Sequence, residues 1–529
     1  MRWRRMGSLA TILIAALLLV ACGGSEPAGT PGGSSPAGGS DEGEQPAAGE
    51  KVLYIGSAYD IVSMDPAKFE DVSSRQVAFN IHAQLVQYKP GTAELEPGLA
   101  ESWEVSEDGK VYRFTLRENA VFQKGYGPVT VEDVQFSLMR LIDPEVASSY
   151  APQMQSLQEV RKVDDRTFEI VLSEPNPSFL YVLAFPEASI VPQRAVEELG
   201  PDFGSNPVGA GPFMLEEWVP QSQIVMVRNP DYWGPAPKLD KVVWRVIPEA
   251  STRYSAFDSG DVQLIQVTDP DRLGVYENQD GVEIHRAAAF NTRVIGFNTT
   301  TEPLDDIRVR QAIVHGFNVE SLLTHVLPGI SERAYGPFAP NIVGYNSDLP
   351  RFEYDPERAR QLLAEAGYPD GFSIRMVVPN IDRFITPATV FQQDMAQIGI
   401  NVEMDILDTG AALETFGQGQ APIFTFSRTH NPVPVSIAAS WFHSSALPPG
   451  SNYSFMQVPE VDQLIDQARS ATSEEALREI MPALQQAVVE QVNYIWIDHE
   501  YNIYATRDGV SGFQSDPFRA MILREVSVE

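Results

Sequence analysis

Forty prolines and 38 glycines punctuate this chain of 529 residues, which therefore has room for many turns and few long uninterrupted helices. Hydrophobic residues make up 43% of it and seven residues are tryptophan, enough for sizeable cores in about two to four domains. The 71 acidic side chains outweigh the 38 basic ones, for a net charge of −33. That balance argues against a nucleic-acid partner, because phosphates would be repelled and no counter-ions released. A single cysteine, Cys22, leaves no intrachain disulfide and no Cys₄ or Cys₂His₂ zinc site.

Arg2, Arg4 and Arg5 precede an apolar run from Leu9 to Val20. This is a basic region and a short hydrophobic region, well below the ~20 residues of a spanning helix. The run ends in Leu19-Val20-Ala21-Cys22, which resembles a bacterial lipobox. The expectation is a lipoprotein signal peptide over residues 1–22, with Cys22 acylated and the protein facing outward from a cell membrane, in the periplasm or at the cell surface. A plain signal peptide with an incidental cysteine is the alternative; the Arg4-Arg5 pair fits twin-arginine export weakly. Cleavage before Cys22 removes three arginines and no acid, taking the net charge from −33 to −36. Residues 23–50 are Gly, Ser, Pro, Ala and acid apart from Thr30 and Gln45, and cannot bury enough surface to fold. Such a tether reaches roughly 30 Å.

From Lys51 strands and helices alternate. Val52-Leu53-Tyr54-Ile55, the alternating Val111–Leu116 and Tyr494-Ile495-Trp496-Ile497 read as strands. Thr130 and Asp133 form a capping-box pattern that opens a helix with Val134, Leu138 and Leu141 on one face. Ala359, Leu362, Leu363 and Ala366 give a helical stripe closed by Gly367, and two more helices are expected over 461–470 and 474–491. No internal repeat is evident. Nor is there a phosphate loop, a G-x-S-x-G elbow or an H-E-x-x-H pair, and Pro212 spoils Gly209-Ala210-Gly211 as a dinucleotide turn. No enzyme is expected; a secreted hydrolase, the alternative class, would lack any nucleophile–base motif. No cofactor or metal is expected either. His430 and His443 are thirteen apart in a region expected near the cleft, and a nickel-chelate role would need His or small-molecule ligands, because thiolates are absent.

Several phrases in order resemble the extracellular solute-binding protein family 5. They are Ser63-Met64-Asp65-Pro66, Pro97-Gly98-Leu99-Ala100-Glu101-Ser102-Trp103, the Thr130–Ser137 helix start, Pro207-Val208-Gly209-Ala210-Gly211-Pro212-Phe213, Asn229-Pro230-Asp231-Tyr232-Trp233, Asp305–Ala312, and Tyr354-Asp355-Pro356 with Leu362–Tyr368. Trp103 and Trp233 read as core anchors, and Gly209 and Gly211 as places where a Cβ would not fit.

The resemblance implies an α/β, two-lobed fold of the type II periplasmic binding protein kind, with an extra domain on the first lobe. Carried over, lobe I is 51–87, 207–288 and 498–529, the extra domain is 88–206, and lobe II is 289–497. The chain would cross between lobes near Phe290–Phe297 and Tyr494–Tyr501, with hinges near Phe297 and Tyr501. The implied role is capture of a peptide or small solute by lobe closure, and delivery to ABC permease subunits with their ATPase. A sensor co-receptor on the same fold is a minor variant. A monomer, held to the membrane through its lipid anchor, is expected. Met64, Asn298, Phe297 and Glu500 are cleft candidates by position.

Peptide binders of the family hold the ligand's amino group with an aspartate in a loop written approximately W-T-G-D-x-x-D-P. The matching stretch here is Phe424–Pro432, and alignment on Pro432 puts Arg428 where that aspartate would be. No acid lies between Glu414 and Glu460. A guanidinium repels an ammonium and suits an anionic or carbohydrate-like group. Arg428, Thr429, His430 and Asn431 are therefore expected to line the cleft, with Trp441 as an apolar wall; Arg428 facing solvent or pairing with an acid is the alternative.

Overall fold

The computed structural model describes residues 49–429 and 432–529. The signal peptide, Cys22 and nearly all of the tether lie outside the described residues, as do His430 and Asn431. No helix among the described residues is long and apolar enough to cross a membrane.

The main sheet has eleven strands and runs through the whole folded body. At one end Phe213–Val219, Gln223–Arg228 and Lys241–Val246 form an antiparallel meander. Val52–Ser57 lies parallel to Lys241–Val246 on one side and to Leu264–Gln266 on the other. A strand with parallel neighbours on both sides is covered on both faces, which is why Val52-Leu53-Tyr54-Ile55 is an apolar run rather than an alternation. At the other end Ile423–Thr429 runs parallel to Phe372–Pro379, which pairs in turn with Ile400–Leu407.

Two long strands join these ends. Val282–Phe297 and Tyr494–Arg507 pair antiparallel along nearly their full lengths. The strand expected at Tyr494–Ile497 thus continues ten residues further, to Arg507. Leu264–Gln266 pairs with the Arg507 end, and Ile423–Thr429 with the Phe297 end. The ladder is interrupted in the middle. Ala288 stands opposite Tyr501 and Thr292 opposite His499, so Ala289, Phe290 and Asn291 face Glu500 alone. This bulge is where the strand bends.

A separate four-stranded antiparallel sheet comprises Ala100–Val105, Val111–Leu116, Thr167–Leu172 and Leu157–Lys162, in that order. Tyr112, Phe114 and Leu116 point inward, and Phe114 stacks on its cross-strand partner Phe168 at 5.4 Å. The Val131–Ile142 helix covers this sheet. Thr130 and Asp133 close its capping box as the sequence predicts, and Val134, Leu138 and Leu141 are buried. The helices Pro356–Glu365, Pro459–Arg469 and Glu474–Glu490 stand where the periodicity places them.

The family-like phrases are mostly scaffold. Asp65 accepts two hydrogen bonds from Arg140, at 2.7 and 2.6 Å, in a mostly buried pair. Gln123, fully buried, donates to the carbonyls of Ile81, Gly211 and Phe213 and so ties the small sheet's domain to the main one. Trp103 and Trp233 are only partly buried; they pack on the edge of the small domain's core, and Trp233 donates to the Ala210 carbonyl.

A Cβ on Gly209 would sit 2.1 Å from the Ile81 carbonyl oxygen, and one on Gly211 would sit 2.6 Å from that of His82. Close approach to backbone, not a left-handed φ, requires these glycines. Gly209→Ala should therefore destabilise the protein by on the order of 2–3 kcal/mol, because main chain must shift. Thermal unfolding of the variant checks this; an unchanged melting temperature would mean that the two segments separate freely.

Candidate functional site

The bulge opens onto a cavity of about 390 Å³. Its walls come from both ends of the main sheet and from the small domain. The Val72–Ile81 helix supplies Arg75, the bulge supplies Phe290 and Asn291, and the Asp382–Gln397 helix supplies Arg383. Thr429, the last residue of its strand, faces Asn291 in register and also lines the cavity. A loop near the C-terminus supplies Phe518 and Arg519. Cavities of about 740 and 850 Å³ flank this one; the first shares Gln153, Val182 and Ser436 with it, and the second shares Pro517.

The C-terminal loop is held under strain. Arg519 and Met521 both have left-handed backbone, at φ +61° and +50°. Buried Asp516 compensates by accepting the backbone N–H groups of Phe518, Ala520 and Met521. Burial raises the Asp516 pKa, and these hydrogen bonds oppose that shift. The turn presents Phe518 edge-on to Phe185 at 5.4 Å and leaves Arg519 donating through Nε to Asn502.

Below the cavity lies a chain of charges that crosses the two long strands. Arg293 and Asp498 are cross-strand partners, 1% and 0% exposed, joined by two hydrogen bonds. Arg293 Nη1 also donates to the Arg383 carbonyl at 2.8 Å and lies 3.8 Å from Glu500. Glu500 in turn lies 3.2 Å from Arg383, whose Nη2 donates to Ser427. The neighbouring cross-strand pair is Thr292 with His499, at 3.1 Å. Burial lowers the His499 pKa to about 4, so this imidazole is neutral near pH 7. The crossing strands, apolar-rich by sequence, thus carry a buried polar layer at their centre.

The structure redistributes the residues expected at the site. Met64 is fully buried among Leu53, Ile55 and Phe213, with its carbonyl accepting from His82. Phe297 is fully buried in the core with Phe391 and Ile423, at the end of its strand and away from the bulge. Trp441 stacks on Phe442 at 4.9 Å and packs against Tyr494, so it is core rather than cavity wall. Asn298 is buried; its amide donates to the Gly419 carbonyl, and its oxygen accepts from Thr300. Phe297 and Trp441 are committed to packing because alternate strand residues and the aromatic helix face must cover the sheet, Met64 packs on that cover from a loop, and Asn298 is spent on loop hydrogen bonds. Glu500 stands beneath the cavity, between two arginines, and Thr429 stands in its wall.

Arg428 takes neither sequence-based course. Its guanidinium carbon lies 5.3 Å from the Phe426 ring centroid, 5.6 Å from that of Tyr453 and 5.9 Å from that of Trp441, and its Nη2 donates to the Ser451 carbonyl. Among the described residues no carboxylate is within ion-pair distance of it. Burial lowers its pKa, and the nearby Tyr494 and Tyr453 press the other way. Sequence reading missed Arg75, Asn291, Arg383, Phe518 and Arg519. The one local signal was Asp516-Pro517, a turn pair before an aromatic and a cation.

Asp498→Asn should cost about 3–5 kcal/mol, because it strands a buried guanidinium. Replacing both partners, as in Arg293→Met with Asp498→Leu, should recover much of the loss. Denaturant unfolding of wild type, single and double variants tests this. A single variant as stable as wild type would show that water reaches Arg293.

Residues 94–447 match the family model of bacterial extracellular solute-binding proteins, family 5 Middle. The dipeptide-binding protein of Escherichia coli is 30% identical over 478 residues, 85% of this chain and 89% of that protein. Heme-binding protein A of Haemophilus influenzae is 30% identical over 487 residues, covering 87% of this chain and 88% of that one. Among solved structures, HbpA2 from Haemophilus parasuis superposes with a TM-score of 0.85 at 27% identity, across 90% of this chain and all of that one.

Proposed function

The chain belongs to the bacterial extracellular solute-binding proteins of family 5, substrate-binding components of ABC transporters, and on that premise we propose that it captures a peptide or peptide-like solute in the central cavity by closing two lobes. The observation that carries this reading is the cavity itself, walled by both ends of one sheet and floored by its bulged crossing strands. In this reading lobe I with its extra domain 88–206 is 51–87, 207–288 and 498–529, and lobe II is 289–497. The hinge moves from Phe297, a core residue, to Ala289–Asn291 with Glu500, where cross-strand pairing is already interrupted.

A solute contacting Arg75 or Arg519 on one side and Arg383 or Thr429 on the other gains its full interaction only when the lobes approach. It shifts the open–closed equilibrium by that differential affinity and no more. The closed form is delivered, by a monomer, to the permease, whose ATPase drives release. Retention of the protein at the membrane falls to Cys22. A non-peptide solute is the second reading, favoured by the absence of any carboxylate among the described residues of the cavity wall and by the relative named for heme.

Small-angle scattering with and without the solute retained through purification, identified by native mass spectrometry, tests closure. The radius of gyration should fall when solute is present; equal radii at saturation would count against moving lobes. Cys22→Ser should move the protein from the membrane to the soluble fraction, since two or more acyl chains make anchoring stable. Continued membrane retention in that variant would refute the lipid anchor.

A further inference from the structure

We propose that the solute of the central cavity is an anion that brings no ammonium group into the cavity: a carboxylate-bearing, amine-free or N-blocked molecule with a flat apolar portion. This rests on the solute-capture reading and narrows it to a chemical class.

The argument is a census of the wall. Among the described residues three guanidinium groups line the cavity, from Arg75, Arg383 and Arg519, and no carboxylate does, in a chain of net charge −33. The nearest acids stand behind the arginines. Glu187 holds Arg75 at 2.5 Å, with side-chain exposures of 2% and 24%. Glu500 lies 3.2 Å from Arg383, with exposures of 16% and 35%. In each pair the acid is the inner partner and the guanidinium faces the cavity. Asp516 is spent on backbone N–H groups. Asn291 Oδ1 in the wall and Glu500 Oε2 behind Arg383 are buried acceptors without hydrogen-bond partners, but the first is neutral and the second lies beside a guanidinium. An entering ammonium would therefore meet cations first and, among the described residues, find no carboxylate in the wall itself.

An entering carboxylate meets the opposite situation. Arg383 Nε is buried and has no hydrogen-bond partner. Burial depresses the Arg383 pKa; Glu500 opposes that shift, while the nearby charges of Arg293 and Arg519 press in the same direction as burial. Like charges gathered in a desolvated wall are relieved by an anion, and the guanidinium fork fits a carboxylate. Tyr150, Phe185, Phe290 and Phe518 supply the remaining character of the wall: ring faces and edges for a flat apolar group.

Titration calorimetry with three probes separates the possibilities: N-acetyl-Ala-Phe, Ala-Phe and Ala-Phe amide. The expected order has N-acetyl-Ala-Phe about tenfold or more tighter than Ala-Phe, with the amide weakest. Arg383→Gln and Arg519→Gln should each weaken N-acetyl-Ala-Phe by about 10–100-fold. Arg519→Lys, which keeps the charge, should lose less, and melting temperatures report whether each variant is folded. Ala-Phe binding as tightly as its acetylated form, or full affinity in both glutamine variants, overturns the proposal. If Ala-Phe also contracts the protein in scattering, solute capture stands while the anion class falls. If no probe binds, the cargo released on denaturing the purified protein decides. An amine-free anion supports the proposal and an ammonium-bearing solute overturns it; no probe bound and no cargo retained overturns both this inference and solute capture.

Discussion

The Arg293–Asp498 pair sits in the ladder that joins the two ends of the main sheet. Its partners lie directly across the Val282–Phe297 and Tyr494–Arg507 strands, so satisfying one charge demands the register that satisfies the other. A buried ion pair gives little net stability against an apolar replacement of the same volume, but a mismatched one is costly. Its value here is registry. With that register set, three residues of one strand must bulge opposite Glu500, and the bulge becomes the floor of the cavity.

The same charges continue outward. Asp498 holds Arg293, Arg293 reaches the Arg383 carbonyl, and Arg383 sits beside Glu500. Position and charge at the cavity wall are thus set by contacts that begin inside the two long strands. The C-terminal turn contributes from the other side: Asp516 offsets two left-handed residues to hold Phe518 and Arg519 in place. Strain of this kind persists only where surrounding contacts over-determine it.

Arg428 illustrates how far a motif position can be trusted. The motif comparison puts an arginine where the family's amine-binding aspartate would stand, but does not give its structural setting. The side chain is held by Phe426, Tyr453 and Trp441 and does not line the cavity. Alternation decides this: Thr429, one residue on, points the other way and does reach the wall. Phe297 and Met64 fail as cavity residues for a related reason, since an apolar side chain beside a predicted crossing is first needed to cover the sheet.

Local elements were legible wherever their chemistry is local. The Thr130–Asp133 capping box, the buried stripe of Pro356–Glu365 and the apolar run Val52–Ile55 each depend on residues a few positions apart. The ordered phrases identify the family, and the absent catalytic motifs agree with a family of binding proteins. The cavity wall was not legible. Arg75, Arg383 and Arg519 come from two helices and a strained turn, hundreds of residues apart, and each looks like an ordinary surface cation in its own segment. Sequence determined which faces must be buried, because periodicity records the neighbours along one element. Only the tertiary structure decided which charges face one another across a cavity, because that depends on strand register and on where a ladder bulges.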